Sequence, residues 1–257
     1  AAAAAAALGR GPRTAALQVE TGMNRLGCAP DALEAAAPEI AAAGALDIRL
    51  IMSHLACADA PRHPQNAAQK AAFDAAAARL RPHFPAARLS LAATGGALLG
   101  PAFAYDLIRA GVGLYGGAPF AEARPVVRLE APLIRAWDAP EGALSGYGAT
   151  WRARGPRRLA TLAVGYADGI PRALSNLGDA GLHGRAAPIV GRVSMDSLVI
   201  DATDAPRPDG APAQVGDVAT LLDETRTVDA LATTTGTIGY EVLTRLGGRF
   251  ERRYVGG

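Results

Sequence analysis

Lysine is almost absent from this chain of 257 residues, because Lys70 is the only lysine among its 26 basic residues. Any chemistry that needs a lysine amine must therefore use Lys70 or obtain a lysine from elsewhere. The chain also has almost no excess of charge of one sign, since 24 acidic residues nearly balance the basic ones. The net charge of +2 is too small to argue for a nucleic-acid partner or an anionic membrane.

Cysteine, histidine and long apolar runs are also scarce. Cys28 and Cys57 have no CxxC spacing and follow no secretory signal, so we expect free thiols in a reducing cytoplasm. Four histidines without an HExxH motif argue against a metal site built by the protein. Because no stretch of about 18 apolar residues lacks charge, we expect no transmembrane helix. We interpret the alanine run at residues 1–7 as a frayed start or the end of a helix.

The first part of the chain alternates β-prone and helix-like segments. A hydrophobic content of 50% with 19% charged residues excludes a wholly disordered chain. The expected elements are strands at residues 17–21, 48–53, 88–93 and 111–115, helices at 31–43 and 65–80, and a helical turn at 107–108. Strand–helix repeats at this spacing predict βα units around a parallel sheet. Four strands make half of a (β/α)₈ TIM-type barrel or a small open sheet.

The pattern changes after Gly117. From Arg124 onwards, short β-prone runs alternate with Gly, Pro and Asp turns, which is typical of a mostly antiparallel β-domain. The expected elements are strands at residues 126–129, 159–164, 188–193, 197–200 and 218–222, with helical patterns at 228–231 and 239–246. We therefore predict one domain over residues 1–120 and a second over residues 121–257.

Polar residues follow several of the predicted strands, where barrel enzymes bind their ligands. Arg25 could bind a carboxylate through two N–H groups, or it could be a solvated loop residue. His54 is either a functional group or a hydrogen-bonded structural histidine. Thr94 directly precedes Gly95, and Arg109 precedes Gly111 by two residues. The N–H of Gly111 can approach an anion closely. Together these features favour a phosphorylated ligand.

The second domain contains several tyrosines in glycine-containing motifs. Tyr147 lies between two glycines, and a tyrosine that acts as a base needs a nearby cation or donor to lower its pKa. The alternative is a turn tyrosine that covers the sheet. Both interpretations apply to Tyr166, to Tyr240 and to the segment around Met195, and spacing alone does not rank these motifs.

Taken in order, these segments resemble the bacterial alanine racemases, which are pyridoxal 5′-phosphate (PLP) enzymes of fold type III. The resemblance covers nearly all of residues 17–257. The matching runs are VETGMNRLG (19–27), SHLACAD (53–59), IRAGVGLYG (108–116), SGYGATWRA (145–153), VGYADGIPR (164–172), GRVSMDSLVID (191–201) and IGYEVLTRLGGR (238–249). The resemblance implies a barrel followed by a β-rich domain, with PLP as cofactor. It also implies a cytoplasmic homodimer that interconverts L- and D-alanine and supplies D-alanine for the cell wall.

The resemblance assigns catalytic and substrate-binding roles by position. Tyr147 matches the tyrosine that takes the α-proton on one face of the substrate, in the site of the partner subunit. Arg25 and the backbone N–H of Met195 match the contacts to the substrate carboxylate, with Met195 coming from the partner. Arg109 matches the arginine that faces the pyridine nitrogen of PLP and keeps it unprotonated. His54 matches the histidine that connects this arginine to the tyrosine.

The remaining assignments concern the phosphate and the entrance. Thr94, the N–H groups of Gly111 and Val112, and the side chain of Tyr240 match the phosphate-binding residues. Tyr166 matches a residue that lines the entrance of the site. The resemblance implies no metal, nucleic-acid or membrane partner.

The chain departs from the family's pattern near these positions. Gln18 stands where the family has a lysine, often carbamylated, that orients Arg25. Glutamine can still accept a hydrogen bond, but it carries no charge. In addition, Glu20 replaces an aspartate, Ala93 replaces an asparagine and Ser194 replaces a frequent cysteine.

The most serious departure concerns the lysine that binds PLP. In the family this Schiff-base lysine lies on the first barrel strand and is the second base, opposite Tyr147. Lys70 does not match it, because a lysine in a polar stretch of a helix is expected to be solvated. We therefore expect a C-terminal racemase fragment that begins near the fifth strand and is inactive alone. Two alternatives stay open: a non-catalytic fragment that binds phosphate or completes a partner subunit, and a racemase of the same fold for another amino acid.

Overall fold

The structure is a computed structural model, and it describes residues 12–256. The alanine run at residues 1–7 lies outside the described residues. The chain divides into two compact units, of which the first ends at Gly113 and the second begins at Leu114. Each unit has a hydrophobic core of its own.

The first unit is built from βα repeats. Its elements are β1 (Arg13–Gln18), α1 (Pro30–Ala42), β2 (Leu46–Met52), α2 (Pro64–Leu80), β3 (Arg88–Ser90) and α3 (Thr94–Leu98). The strands form one parallel sheet in the order β1-β2-β3. This confirms the predicted parallel βα arrangement, and the two long helices lie within one residue of their predicted bounds.

The long helix α2 supplies much of the core of the first unit. Its start is capped by His63, whose Nδ1 accepts a hydrogen bond from the N–H of Gln65 at 3.1 Å. Pro64 occupies the first turn, where a missing N–H costs nothing. On the apolar face, the fully buried ring of Phe73 meets Tyr105 edge to face with 5.1 Å between the ring centroids.

The fourth predicted strand of this unit is wrong. Residues 111–115 contain a 3₁₀ helix over Val112–Tyr115. Glycine is depleted in strands because it has no side chain to pack and loses much backbone freedom on ordering, and this segment contains two glycines. The helical turn predicted at residues 107–108 is wrong as well, since a 3₁₀ turn lies earlier, at Pro101–Phe103.

The second unit is a mostly antiparallel β-structure with two short helices, as predicted. Its elements are β4 (Leu129–Ala139), β5 (Leu144–Ser145), β6 (Trp151–Arg152), β7 (Arg157–Leu162), β8 (Asp179–Leu182), β9 (Arg185–Pro188), β10 (Leu198–Asp201), β11 (Val218–Leu222), α4 (Val228–Thr235) and α5 (Gly239–Arg245). One sheet has the order β10-β7-β4-β11-β8-β9, and β5 pairs with β6. The strand expected at residues 126–129 begins only at its last residue, and most of the strand expected at 188–193 is loop after β9.

The central strand β4 shows how the core of the second unit is built. Leu129, Ala131 and Leu133 are buried, and Glu130 and Ile134 are exposed. This alternation follows because successive side chains of a strand project to opposite faces of the sheet. Within residues 12–256, no helix is both long and apolar enough to cross a membrane.

Two neighbouring residues of β4 test this account of the core. Leu133 is 1% exposed and Ile134 is 54% exposed. We expect Leu133→Ala to lower the free energy of unfolding by about 2–5 kcal/mol, because it leaves a cavity in the core. Ile134→Ala, on the outer face of the same strand, should change it by less than about 0.5 kcal/mol. Urea unfolding followed by circular dichroism measures both, and equal losses would contradict the assigned faces.

Candidate functional site

The candidate residues form two clusters, one in each compact unit. The N-terminal cluster consists of Arg25, His54, Thr94, Arg109, Gly111 and Val112. The C-terminal cluster consists of Tyr147, Tyr166 and Met195. Tyr240 belongs to the second unit, where it lies exposed in the first turn of α5. No group of three or more His, Cys, Asp and Glu side chains among residues 12–256 is arranged to hold a metal ion.

Arg109 lies at the centre of the N-terminal cluster and is held by uncharged groups. Its Nη1 donates to the backbone oxygen of Ser90 at 3.0 Å and to Oγ of Ser90 at 2.6 Å. Its Nη2 donates to the backbone oxygen of Ser53 at 2.6 Å and lies 3.2 Å from Nδ1 of His54. Burial lowers the pKa of Arg109, although a guanidinium keeps its proton. Because no carboxylate of the described chain pairs with it, Arg109 is a partly buried cation without a counter-ion.

The ends of two parallel strands create this position. Strands β2 and β3 are in register up to the pair Met52 and Ser90. The N–H of Ser53 then donates to the backbone oxygen of Ser90 at 3.1 Å, so the two serines lie side by side. Arg109 is brought to this edge by its own N–H, which donates to the backbone oxygen of Ala92 at 2.9 Å. The sequence analysis missed both serines, although each stands at the end of a strand.

His54 is a neutral histidine in this environment. Burial lowers its pKa most, and the positive charges of Arg109 and Arg25 lower it further. A guanidinium only donates, so Nδ1 of His54 must accept the hydrogen bond from Arg109. The proton of the neutral ring is therefore on Nε2, which can donate to another group.

A carboxylate shapes the loop that carries Arg25. Oε1 of Glu20 accepts hydrogen bonds from the N–H of Gly22 at 2.5 Å and of Met23 at 2.7 Å. Hydrogen bonding to backbone N–H groups, with that of Asn24 first, lowers the pKa of Glu20 and keeps it ionised. The side chain of Arg25 is exposed, and it makes no hydrogen bond or ion pair with the described residues. It is therefore free to bind an external carboxylate.

Gln18 supports this loop rather than Arg25 itself. Its Nε2 donates to the backbone oxygen of Leu26 at 3.3 Å, which ties the end of β1 to the far side of the loop. Gln18 and Arg25 make no direct hydrogen bond in the described chain. The orienting role that the resemblance gives to this position is thus not performed by a contact between these two side chains.

The sequence analysis also missed Gln69, a fully buried glutamine on α2. Its Oε1 accepts from the N–H of Ala56 at 2.8 Å, and its Nε2 donates to the backbone oxygen of His54 at 2.9 Å. The same nitrogen lies 3.4 Å from Oγ1 of Thr21, in the loop that carries Arg25. Gln69 therefore connects the loops of the two candidate residues. Gln69 precedes Phe73 by four residues, which places both on one face of the helix. This spacing is the feature of the sequence that could have identified Gln69 as a buried residue.

A hydroxyl and backbone N–H groups meet at the start of α3. Oγ1 of Thr94 accepts from the N–H of Gly111 at 3.1 Å and from the N–H of Gly113 at 3.4 Å. Val112 is buried between the two glycines. A side chain added at Gly111 would meet no atom within 4 Å, so the space in front of it is open. Both N–H groups are bonded to the Thr94 hydroxyl, and a phosphate bound here would compete with that hydroxyl for them.

In the C-terminal cluster, the loops of Tyr166 and Met195 are bonded to each other. The N–H of Tyr166 donates to the backbone oxygen of Ser194 at 3.0 Å, and the N–H of Ala167 donates to that of Met195 at 2.9 Å. Gly165 allows this approach, because a Cβ there would lie 2.3 Å from the backbone oxygen of Met195. A larger residue at Gly165 would separate the two loops.

The turn that carries Tyr147 is fixed by separate contacts. Oγ of Ser145 donates to the backbone oxygen of Val190 at 3.0 Å. A Cβ on Gly146 would lie 2.7 Å from the backbone nitrogen of Arg192, so this turn packs directly on the loop that leads to Met195. The side chain of Tyr147 is 71% exposed, and those of Tyr166 and Met195 are exposed as well. The cluster thus presents its side chains to the outside of its unit.

Lys70 is engaged away from the N-terminal cluster. Its Nζ donates to Oδ2 of Asp74, one turn further along α2, at 2.8 Å, and it lies 5.5 Å from the ring centroid of Tyr105. Hydrogen bonds from Lys70 and from the hydroxyl of Tyr105 lower the pKa of Asp74. The ammonium group therefore has its own partners on the helix surface.

Comparison with known proteins gives consistent matches along the chain. Residues 1–119 match the family model described as alanine racemase, N-terminal domain, and residues 126–254 match that described as alanine racemase, C-terminal domain. The chain is 50% identical over 236 residues to an alanine racemase of Jannaschia sp. (strain CCS1), with 92% of this chain and 64% of that protein covered. It is 47% identical over 248 residues to that of Rhodospirillum rubrum, with 94% and 64% covered. The chain thus spans less than two thirds of the length of these curated relatives.

Solved structures agree with this result. The alanine racemase from Streptomyces coelicolor A3(2) superposes with a TM-score of 0.90 at 32% identity, covering 100% of this chain and 70% of that one. The alanine racemase from Bartonella henselae, with covalently bound pyridoxal phosphate, has a TM-score of 0.84 at 36% identity, with 99% and 69% covered. With both family models matched and more than two thirds of solved relatives covered at over 30% identity, the chain belongs to the alanine racemase family.

Proposed function

We propose that this chain carries the machinery of an alanine racemase, which interconverts L- and D-alanine with PLP. The observation that carries the proposal is the partly buried Arg109, whose partners are all uncharged. A guanidinium does not give up its proton, so Arg109 would leave a PLP ring nitrogen beside it unprotonated. This would limit electron withdrawal into the ring and would favour racemisation over transamination.

The residues of the N-terminal cluster fit PLP. The hydroxyl of Thr94 and the N–H groups of Gly111 and Val112 would hold the phosphate, with the N–H of Gly111 exchanging its present bond to Thr94 for one to the phosphate. No atom lies within 4 Å of where a side chain at Gly111 would stand, which leaves room beside it. Arg109 would face the ring, and Tyr240 would add a phosphate contact. When bound, PLP supplies an electron sink for the negative charge that develops at the substrate Cα.

Arg25 and Tyr147 would act on the amino acid itself. Arg25 has an unpaired guanidinium, which can bind the carboxylate of alanine with two N–H groups. Tyr147 would remove or return the α-proton on one face, and Met195 would add a backbone contact to the carboxylate. Because Tyr147 and Met195 point outwards from their unit, we propose that they complete the site of a second copy in a cytoplasmic homodimer. In this arrangement residues 1–120 hold the cofactor and residues 121–257 contribute Tyr147 and the entrance residue Tyr166.

The sequence contains one lysine that could be the second proton-transfer group. The only lysine, Lys70, is bound to Asp74, and an arginine cannot take part in covalent amine chemistry at neutral pH. We therefore propose that these residues supply one of the two bases, and that the lysine comes from outside this sequence. The same observation favours a second role, in which Tyr147 and Met195 complete the site of a subunit that contains the lysine.

Hydrogen exchange at the substrate tests the role of Tyr147. In D₂O with PLP, we expect the chain to exchange the α-hydrogen of one enantiomer of alanine without net racemisation, because one base serves one face. Tyr147→Phe should lower this exchange by about a hundredfold or more. Proton NMR measures the exchange, and a coupled D-amino-acid oxidase assay measures racemisation. Tyr254→Phe, in the exposed tail, is the matched control.

Two results would contradict this prediction. Full racemisation by these 257 residues would show that the second base is present. Exchange that persists unchanged in Tyr147→Phe would show that another group moves the proton.

A substitution at Lys70 tests whether it binds the cofactor. Lys70→Arg keeps the positive charge next to Asp74, so we expect unchanged stability and unchanged affinity for PLP. Borohydride treatment in the presence of PLP, followed by peptide mass spectrometry, should show no stoichiometric label at Lys70 in the native chain. Stoichiometric label at Lys70, or loss of PLP binding in Lys70→Arg, would refute the proposal.

The pKa of His54 tests the electrostatics around Arg109. Since this pKa lies below the ordinary value of 6.5, the unfolded chain binds the proton more readily than the folded chain. The stability contribution of neutral His54 is therefore complete above pH 6.5 and declines as the pH falls from 6.5 through the lowered pKa. Arg109→Gln should raise the pKa of His54 towards 6.5, because it removes one positive charge that disfavours protonation of the ring.

NMR titration of the histidine ring protons measures this shift. Arg49→Gln, which removes a surface arginine paired with Asp47, should leave the pKa of His54 unchanged. A native His54 that titrates at or above 6.5 would show that it is not held neutral by its surroundings.

A further inference from the structure

Arg249, in the tail after α5, binds both loops of the C-terminal cluster at once. Its Nε and Nη2 donate to the two carboxylate oxygens of Asp168 at 2.5 and 2.7 Å. Its Nη1 lies 3.2 Å from Oδ1 of Asp196. Asp168 follows Tyr166 by two residues in the same turn, and Asp196 directly follows Met195. One guanidinium therefore joins the two loops through their acidic residues.

Asp168 makes this contact more than a surface ion pair. It is 1% exposed, and its other side-chain partner in the described chain is the N–H of Gly165, at 2.9 Å from Oδ2. The hydrogen bonds from Arg249 are the main cause of its lowered pKa. Only the carboxylate is buried, since the side chain of Arg249 is 56% exposed. Removal of the guanidinium would leave this buried charge with the N–H of Gly165 as its remaining partner, which is unfavourable. The turn that carries Tyr166 thus depends on Arg249, which lies 81 positions after Asp168 in the chain.

The tail is held in place for this contact by the backbone. The N–H of Gly247 donates to the backbone oxygen of Asp168 at 3.0 Å. Gly169 lets the end of α5 approach, since a Cβ there would lie 2.2 Å from the backbone oxygen of Arg245. These backbone contacts hold the tail against the Tyr166 turn without any contribution from the side chain of Arg249.

We propose that Arg249 is a positioning residue that fixes Tyr166 and Met195 relative to each other, and so sets the substrate entrance and the carboxylate contact of the site. The importance of this arrangement for catalysis rests on the proposed function. Without the guanidinium, the hydrogen bonds from Tyr166 and Ala167 to the loop of Met195 open more readily. Arg249 makes no contact with the turn of Tyr147 in the described chain, and that turn is held by the hydrogen bond from Ser145 to Val190, so we expect a smaller effect on Tyr147 than on Tyr166 and Met195.

Hydrogen–deuterium exchange of the backbone amides tests the positioning directly. In Arg249→Ala, we expect the amides of Tyr166 and Ala167 to exchange about tenfold faster or more, because the loops separate locally. The amide of Leu133, which donates to Asp217 in the core, should be unchanged. Arg253→Ala is the matched control, since this exposed arginine of the same tail pairs only with Glu251 among the described residues.

Two further variants separate positioning from general stability. Arg249→Lys keeps the charge but loses the two-pronged contact, so it should show a smaller acceleration at the same amides. In an Asp168→Asn background, Arg249→Ala should add much less than it does alone, because the two side chains act as a pair. If Arg249→Ala does not fold, the comparison of Arg249→Lys with Arg253→Ala decides the same question.

Unchanged exchange at Tyr166 and Ala167, or equal acceleration throughout the chain, would overturn the proposal. Kinetics give an independent readout where racemisation or α-hydrogen exchange is measurable: Arg249→Ala should raise the KM for alanine more than it lowers kcat. A larger loss in kcat with constant KM would also overturn it. If the native chain shows neither activity under conditions that supply the lysine, the proposed function fails, while the amide exchange still decides the role of Arg249.

Discussion

The N-terminal cluster depends on one interaction, the solvation of the Arg109 guanidinium by backbone and hydroxyl oxygens instead of a carboxylate. The ends of β2 and β3 supply these oxygens through Ser53 and Ser90. A carboxylate here would neutralise the charge and leave nothing for a ligand. Neutral acceptors satisfy the N–H groups, whose burial would otherwise be costly, and leave the net charge in place. Burial lowers the pKa of His54 most, the charge of Arg109 lowers it further, and the hydrogen bond from Arg109 to Nδ1 fixes which nitrogen of the ring carries the proton.

The C-terminal cluster is held together mainly by close contacts between backbone segments, and side-chain contacts add to them. Gly165 and Gly146 bring three loops together at distances that no side chain would allow. Arg249 then joins two of those loops through buried and exposed carboxylates. The exposed candidate side chains Tyr147, Tyr166 and Met195 project away from the core of their unit, so their positions are set by the backbone beneath them. The cluster is therefore rigid at its base and open at its surface.

Sequence alone predicted the parts of this structure that depend on local pattern. Periodicity and turn residues predicted the helix α2, the parallel strands of the first sheet and the antiparallel second unit. The strand predicted at residues 111–115 is a 3₁₀ helix instead, because the two glycines of this segment outweighed its apolar residues. Strand ends pointed to His54 as a candidate. Gln69 and Arg249 escaped notice because each acts through partners that only the folded chain brings near.

The scarcity of lysine is informative once the roles of individual arginines are compared. Arg249 needs a planar fork to engage both oxygens of Asp168, and Arg109 needs a charge that survives partial burial. A lysine would provide neither, since its ammonium is a point donor and loses its proton more readily when buried. Lys70 pairs with the exposed carboxylate of Asp74, and this contact needs neither a planar fork nor a charge that survives burial. The one task that no arginine can perform is reversible covalent bonding through a neutral amine. Under the proposed function, the source of a single lysine therefore decides whether the two clusters could complete a catalytic cycle.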